Sequence, residues 1–288
     1  MDQFKIVLGI EICRGFIRVA EVEHRDDGFF LSRLVEKNIE NMGVDELVQA
    51  ISLLISEEAM FGRIASVAID TALTERDTID VDADLQAGEI VDLLKAEIDF
   101  HNDFGSQEFR PAYEIIKTSE DGFKEVFYAA IDKTLLNAIK DACTRCGLDL
   151  QFIDLDHSCT ELLINRLLKW TGNYILVTVK DHYVEGSFSR NSERLAYKYL
   201  NYSDEAFYFV TKMAQDLESI AKEYVQKIFV TGMKADNFLI DMLQKNADNR
   251  YELLVPTSNL LLSSVVSANT KLAEHPHFFS SVIGAAIK

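Results

Sequence analysis

The chain has 288 residues, 48% of them hydrophobic and 26% charged, a balance that supports a large buried core and excludes wholesale disorder. Its 47 acidic residues outnumber 29 basic ones, for a formal charge of −18, which disfavours nucleic acid and anionic lipid as direct partners. No apolar run approaches the roughly 20 residues that span a bilayer, and four cysteines in this length make no disulfide framework. The N-terminus lacks a signal-peptide layout, so a cytoplasmic protein is expected.

In chain order, three β-rich runs come first, at 5–10, 16–21 and 29–38, punctuated by Gly9, Gly15 and the Asp26-Asp27-Gly28 turn as an antiparallel meander. Leu47, Ile51, Leu54 and Ile55 then form one helical stripe, and the apolar run 66–70 reads as a buried strand packed by that helix. From about 74 to 149 the pattern is β-α-β-β-α-β, with strands at 78–81, 112–117, 124–131 and 149–154 and helices at 88–98 and 133–146. The second helix carries Leu135, Ile139, Ala142 and Cys146 on one face and stops at Gly147. A helix over 157–170 closes this half.

The second half restarts the meander, with strands at 174–180, 183–188 and 194–200 and a turn at 189–192. A long helix over 204–225, with Ser203 as its N-cap, places Phe207, Val210, Ala214, Leu217 and Ala221 on one face. A strand at 227–231 ends at Gly232, a helix follows at 236–245, a strand at 251–255, and 278–287 reads as helical. Both halves share one order of meander, helix, strand and helix, so an α/β protein with a duplicated core is expected. The first lobe is assigned to 1–73, completed by 150–172 and 278–288, the inserted α+β unit to 74–149, and the second lobe to 173–277.

Few residues advertise chemistry. The Gly9–Gly15 turn could lay backbone N–H groups against a phosphate, with Glu11 placing a metal-bound water, or be a plain hairpin. Cys143-Thr144-Arg145-Cys146 is a lone CxxC at a helix C-terminus, where the dipole opposes thiolate and no further ligands for zinc stand nearby. His275-Pro276-His277 reads as a loop, and the aspartates of 77–84 as a solvated strand edge. No P-loop, G-x-G-x-x-G or G-x-S-x-G occurs, and Ser158-Cys159 has no nucleophile partner.

Four stretches, in the correct order, resemble the actin-like ATPase superfamily and within it the PilM type of pilus-assembly protein, related to the division protein FtsA. They are 8–22, LGIEICRGFIRVAEV, similar to the family's phosphate hairpin; 126–154, similar to the segment leaving its inserted subdomain; 227–232, similar to the strand before its adenosine glycines; and 281–287, similar to its closing helix. The resemblance implies two lobes of ribonuclease H-like fold, the closing helical subdomain of the second being reduced or absent.

It also implies a nucleotide pocket at Gly9, Glu11, Cys13, Gly15, Thr178, Lys180, Gly232, Met233 and Lys234, and here the chain departs from the family. Glu11 stands where the family has Asp and Cys13 where it has Gly. Thr178-Val179-Lys180 stands for Asp-x-Gly, and Gly232-Met233-Lys234 for consecutive glycines. Phosphoryl transfer rests on positioning and charge stabilisation, so these losses together should abolish it. The expectation is a scaffold with no catalytic residue, no metal and no cofactor, ATP with magnesium being the alternative. Its expected partner is the cytosolic tail of a bitopic inner-membrane pilus or secretion protein, bound between the inserted unit and the first lobe. Such a protein is peripheral to the membrane without inserting, and homo-oligomerisation stays open. The alternatives are an active ATPase or small-molecule kinase using Glu11, or the cytosolic domain of a type II secretion platform, which normally continues into a membrane helix absent before Lys288.

Overall fold

In a computed structural model, which describes residues 5–101, 108–119, 121–203, 206–246 and 249–288, the first meander forms where the alternation places it. β1 (Lys5–Cys13), β2 (Phe16–Arg25) and β3 (Gly28–Asn38) pair antiparallel. α1 (Val44–Glu57) then crosses to β4 (Ile64–Ile69), which returns parallel to β1. The α1 stripe of Leu47, Ile51 and Leu54 is buried against Leu8, Ile10 and Ile12, each such side chain contributing about 1.5–3 kcal/mol.

The insertion is β5 (Thr74–Asp82), α2 (Ala87–His101), β6 (Phe109–Thr118) and β7 (Phe123–Asp132), a separate sheet in the order β5-β7-β6. Ile90, Leu94 and Ile98 of α2 cover one of its faces at Val81, Val126, Tyr128 and Ala130. The expected boundary at 149 needs correction. α3 (Lys133–Arg145) packs Ala138, Ile139 and Ala142 into the same core as α1, and β8 (Asp149–Leu155) lies parallel to β4. An apolar stripe shows that a helix is buried; it does not say which sheet receives it. Cys143 is buried in that core, and the half-buried Cys146 has its Sγ 3.2 Å from the Ser52 hydroxyl.

α4 (Asp156–Leu163) runs into a π-turn, Ile164–Leu168, and leads to the second meander of β9 (Tyr174–Val179), β10 (Tyr183–Arg190) and β11 (Glu193–Asn201). Only residues 202–205 separate β11 from α5 (Ala206–Ala221); the expected cap at Ser203 turns on residues 204–205, outside the described set. α5 stops four residues before the expected 225, because Lys222 turns to φ +51°. β12 (Lys227–Thr231) lies parallel to β9, and after α6 (Asn237–Asn246) the short β13 (Tyr251–Leu253) lies parallel to β12.

The duplication is now explicit. One sheet runs β3-β2-β1-β4-β8 and the other β11-β10-β9-β12-β13, with β14 (Leu261–Leu262) added beside β3. The short helices α7 (Ser264–Ser267) and α8 (Thr270–Glu274) carry too little periodicity to be read from sequence. The closing helix α9 (Ser280–Ala286) returns to the first lobe, wedged between β1 and α4. Two glycines permit this fit. A Cβ on Gly9 would lie 2.1 Å from the Val282 carbonyl oxygen, and one on Gly284 2.0 Å from that of Cys159. Val282, Ile283 and Ala286 fill the space between the sheets together with Ala20, Val22, Leu176 and Phe229.

Candidate functional site

Along β1 the even positions enter the α1 core, so Gly9, Glu11 and Cys13 face the cleft between the two sheets. Glu11 is 1% exposed and accepts hydrogen bonds from Arg18 Nη1 at 3.0 Å and the Ser281 hydroxyl at 2.6 Å. Arg18 also donates Nε to Glu36 at 2.6 Å and Nη1 to the Phe278 carbonyl at 2.6 Å. Burial opposes charge on Glu36, but Lys271 and Arg18 outweigh it and hold the carboxyl below its ordinary range.

From the second lobe, Lys180 donates Nζ to Asp156 at 2.6 Å, with Asp70 of the first lobe at 3.7 Å. The other Asp156 oxygen accepts from the Thr71 amide at 3.2 Å, the Thr71 hydroxyl at 2.7 Å and the His157 amide at 2.9 Å. Burial alone would discharge Lys180; Asp156 and Asp70 reverse this and raise its pKa well above the ordinary value. Burial likewise opposes charge on Asp70, yet Lys180 and the Tyr183 hydroxyl, 2.6 Å away, keep that carboxyl low. Cys13 sits against this cluster, and burial followed by the Glu11 charge pushes its thiol well up, which leaves it a neutral filler.

A third network continues along α4. Ser187 donates to Glu161 at 2.5 Å, so it receives the His157 Nε2 proton at 2.8 Å and leaves Nδ1 to accept the Thr178 hydroxyl at 2.9 Å. Glu161 takes Nε and Nη2 of Arg194, which also donates to Ser158 and Glu114.

These contacts close the cleft. Glu11, Thr178, Lys180, Gly232 and Met233 do converge on one cavity, but its volume is only about 10 Å³, the room of one water molecule. The remaining expected residues stand outside it. Gly9 is sealed under Val282, Gly15 is exposed at the β1–β2 turn, and Lys234 is an exposed partner of Asp181 at 3.1 Å. Gly232, at φ +98°, packs where a Cβ would lie 2.3 Å from the Val179 carbonyl oxygen. Of His275 and His277, both expected in a loop, His275 precedes a 3-10 turn, Pro276–Phe279, that contains His277, which is buried beside the cavity. The sequence does not point to Asp70, Asp156, His157, Glu161 or Arg194. For the three on α4 the one signal is a cluster of polar residues, Asp156, His157, Thr160 and Glu161, on a helix between two strands.

A larger groove opens elsewhere, with a volume of about 340 Å³, where the inserted sheet meets β8, α4 and β11. Its walls include Ala112, Phe127, Ala129 and Leu162, with Glu114 and Asp154 as acids. Burial raises the Glu114 carboxyl, and Glu161 and Asp154 add to the rise against the pull of Arg194.

The buried titratable groups set a pH profile. Burial pushes Glu185 from 4.5 to about 8, and burial lowers His157 from 6.5 to about 3. Above pH 6.5 an unfolded chain has both groups deprotonated, while the folded chain still holds the Glu185 proton, so stability falls as pH rises. Below about 4.5 the unfolded chain protonates His157 while the folded ring refuses, so stability falls again on the acid side. Urea unfolding at pH 6.5 and 8 should differ by roughly 2 kcal/mol, and Glu185→Gln should remove that difference.

No protein-family model and no curated protein matches the sequence. Among solved structures, the chain superposes on the "PilM-PilN type IV pilus biogenesis complex" with a TM-score of 0.74 and 15% identity, over 98% of this chain and 97% of the other. It matches a Bacteroides thetaiotaomicron protein with actin-like ATPase fold and unknown function at 0.55 and 15%, over 88% and 93%. It matches the cytoplasmic domain of EpsL, an inner-membrane component of the Vibrio cholerae type II secretion system, at 0.54 and 11%, over 87% and 90%. The chain therefore has the actin-like ATPase fold, in its PilM-like form.

Proposed function

We propose that this protein is a non-catalytic actin-like scaffold of a type IV pilus assembly or related secretion platform, which holds the cytosolic tail of a bitopic inner-membrane protein. The observation that carries this reading is the closed cleft. A ligand pocket for a drug-sized molecule has about 300–1,000 Å³, whereas the interlobe cavity has about 10 Å³ and is walled by the protein's own ion pairs. Lys180 occupies the neighbourhood of Asp70 and Asp156 with a fixed positive charge, so a metal–phosphate group has neither room nor free carboxylates there.

The groove at the inserted sheet is the place for the tail. Strands β6 and β8 are each the last of their sheet and flank it, so an extended segment finds backbone partners at either edge. Ala112, Phe127, Ala129 and Leu162 take apolar side chains, and Glu114 and Asp154 favour a basic residue. Arg194 spends its donors on Glu161, Ser158 and Glu114, which leaves little for an incoming carboxylate. Among the described residues no helix is long and apolar enough to cross a membrane. Membrane attachment in this reading comes through the partner.

The test uses synthetic peptides of the cytosolic tails of bitopic proteins encoded beside this gene. One of them should bind with a dissociation constant of about 10 µM or tighter, and Ala112→Trp, which fills the groove from an exposed position, should weaken it at least tenfold. Calorimetry with Mg-ATP should show no binding below about 1 mM and no turnover. An ATP dissociation constant of about 10 µM or tighter, abolished by Lys180→Ala, would replace the scaffold with an ATPase.

A further inference from the structure

The inserted sheet has two faces, and the groove uses one of them. Ala112 pairs across strands with Ala129 and Glu114 with Phe127 on the groove side, whereas Val126, Tyr128 and Ala130 carry α2 on the opposite side. The outer surface of α2 is not polar throughout. Leu93 is 41% exposed and Phe100 81%, with exposed Ala96 between them, so the three follow i, i+3, i+7 spacing along one stripe.

Acid surrounds this stripe. Residues 74–132 contain 16 acidic and five basic side chains, so a fifth of the chain carries more than half of the −18 net charge. Glu97 projects beside Leu93 and Phe100, and Asp77 of the end strand β5 is the cross-strand neighbour of Tyr128 beneath α2. The Tyr128 hydroxyl reports their convergence. Burial raises it to about 12, helped in turn by Asp77, Glu97 and Glu75.

We propose that the α2–β5 face of the inserted unit is a second docking surface, for a basic amphipathic helix of a partner protein. The apolar residues of that helix pack along Leu93, Ala96 and Phe100 in a helix-on-helix contact, and its lysines or arginines meet Glu75, Asp77 and Glu97. Charge complementarity selects this occupant. A second copy of the chain would bring its own acidic block into contact with this one, and an anionic bilayer is repelled by it. The site is independent of the tail groove because it lies on the other face of the sheet.

The probe is an 18-residue fluorescent helix of leucine and lysine with one apolar stripe, followed by anisotropy. It should bind the wild-type chain and weaken as salt rises. Leu93→Ser with Phe100→Ser should reduce affinity at least tenfold, as should Asp77→Lys with Glu97→Lys, which should also flatten the salt dependence. Ala112→Trp, in the tail groove, should leave binding unchanged, so failure here and failure of the tail reading are separable. Binding of all variants within twofold of wild type, absence of binding, or equal binding of the leucine–glutamate analogue would overturn the proposal.

Discussion

Replacing Lys180 by alanine should lower the unfolding free energy by about 3–5 kcal/mol, the range for removing one partner of a buried ion pair. Asp156 is 1% exposed, and without Lys180 its charge keeps three neutral donors but no cation. Asp70 loses its cation as well. The variant can relieve this by protonating Asp156, so its deficit should shrink as pH falls towards 4 and widen towards 8. Urea unfolding at three pH values measures both. A pH-independent loss below 1 kcal/mol would mean that the lobes are held by packing alone. Lys180→Ala also creates room beside two carboxylates, yet nucleotide affinity should not rise with it, because Glu11, Arg18 and Ser281 still close the other side.

Arg18→Met should cost a similar 3–5 kcal/mol, for a different reason. Methionine keeps an apolar stem but not the guanidinium that lies over the Phe16 and Phe279 rings, so the loss is one of charge, donors and cation–π contact. Glu11 would be left buried with Ser281 as its partner, and the Phe278 carbonyl would lose Nη1. Because that carbonyl precedes α9, hydrogen exchange should accelerate first in Ser280–Ala286 and only later in β1. Replacing both Arg18 and Glu11 by methionine should restore most of the loss, since a matched apolar pair leaves no uncompensated charge. If the double variant is no better than the single one, the ion pair is not what fastens the C-terminal helix.

The nine residues that the resemblance assigns to the pocket show how far such an assignment reaches. Glu11, Thr178, Lys180, Gly232 and Met233, grouped by the family resemblance, meet at one cavity. Gly9 reads as a phosphate-facing glycine, but its missing side chain makes room for the backbone of α9, from more than 270 positions away. Gly15 and Lys234 keep their places in the turns and face solvent. No local feature separates a glycine that admits a ligand from one that admits a helix.

The sequence by itself determined the two meanders, the helices that pack on them and the repeated order, because alternation and helical periodicity are properties of neighbouring residues. It also shows Glu11, Cys13 and Thr178 at the positions where the resemblance implies phosphate contacts. Only the tertiary structure decided that α3 packs in the core of the first lobe, since its apolar stripe fits any sheet with an uncovered face. Only it decided that Lys180 meets Asp70 and Asp156, and Arg18 the Phe278 carbonyl 260 positions later. Those pairings arise where separate elements are pressed together without water, and the free energy of a buried charge depends on which counter-charge arrives with it.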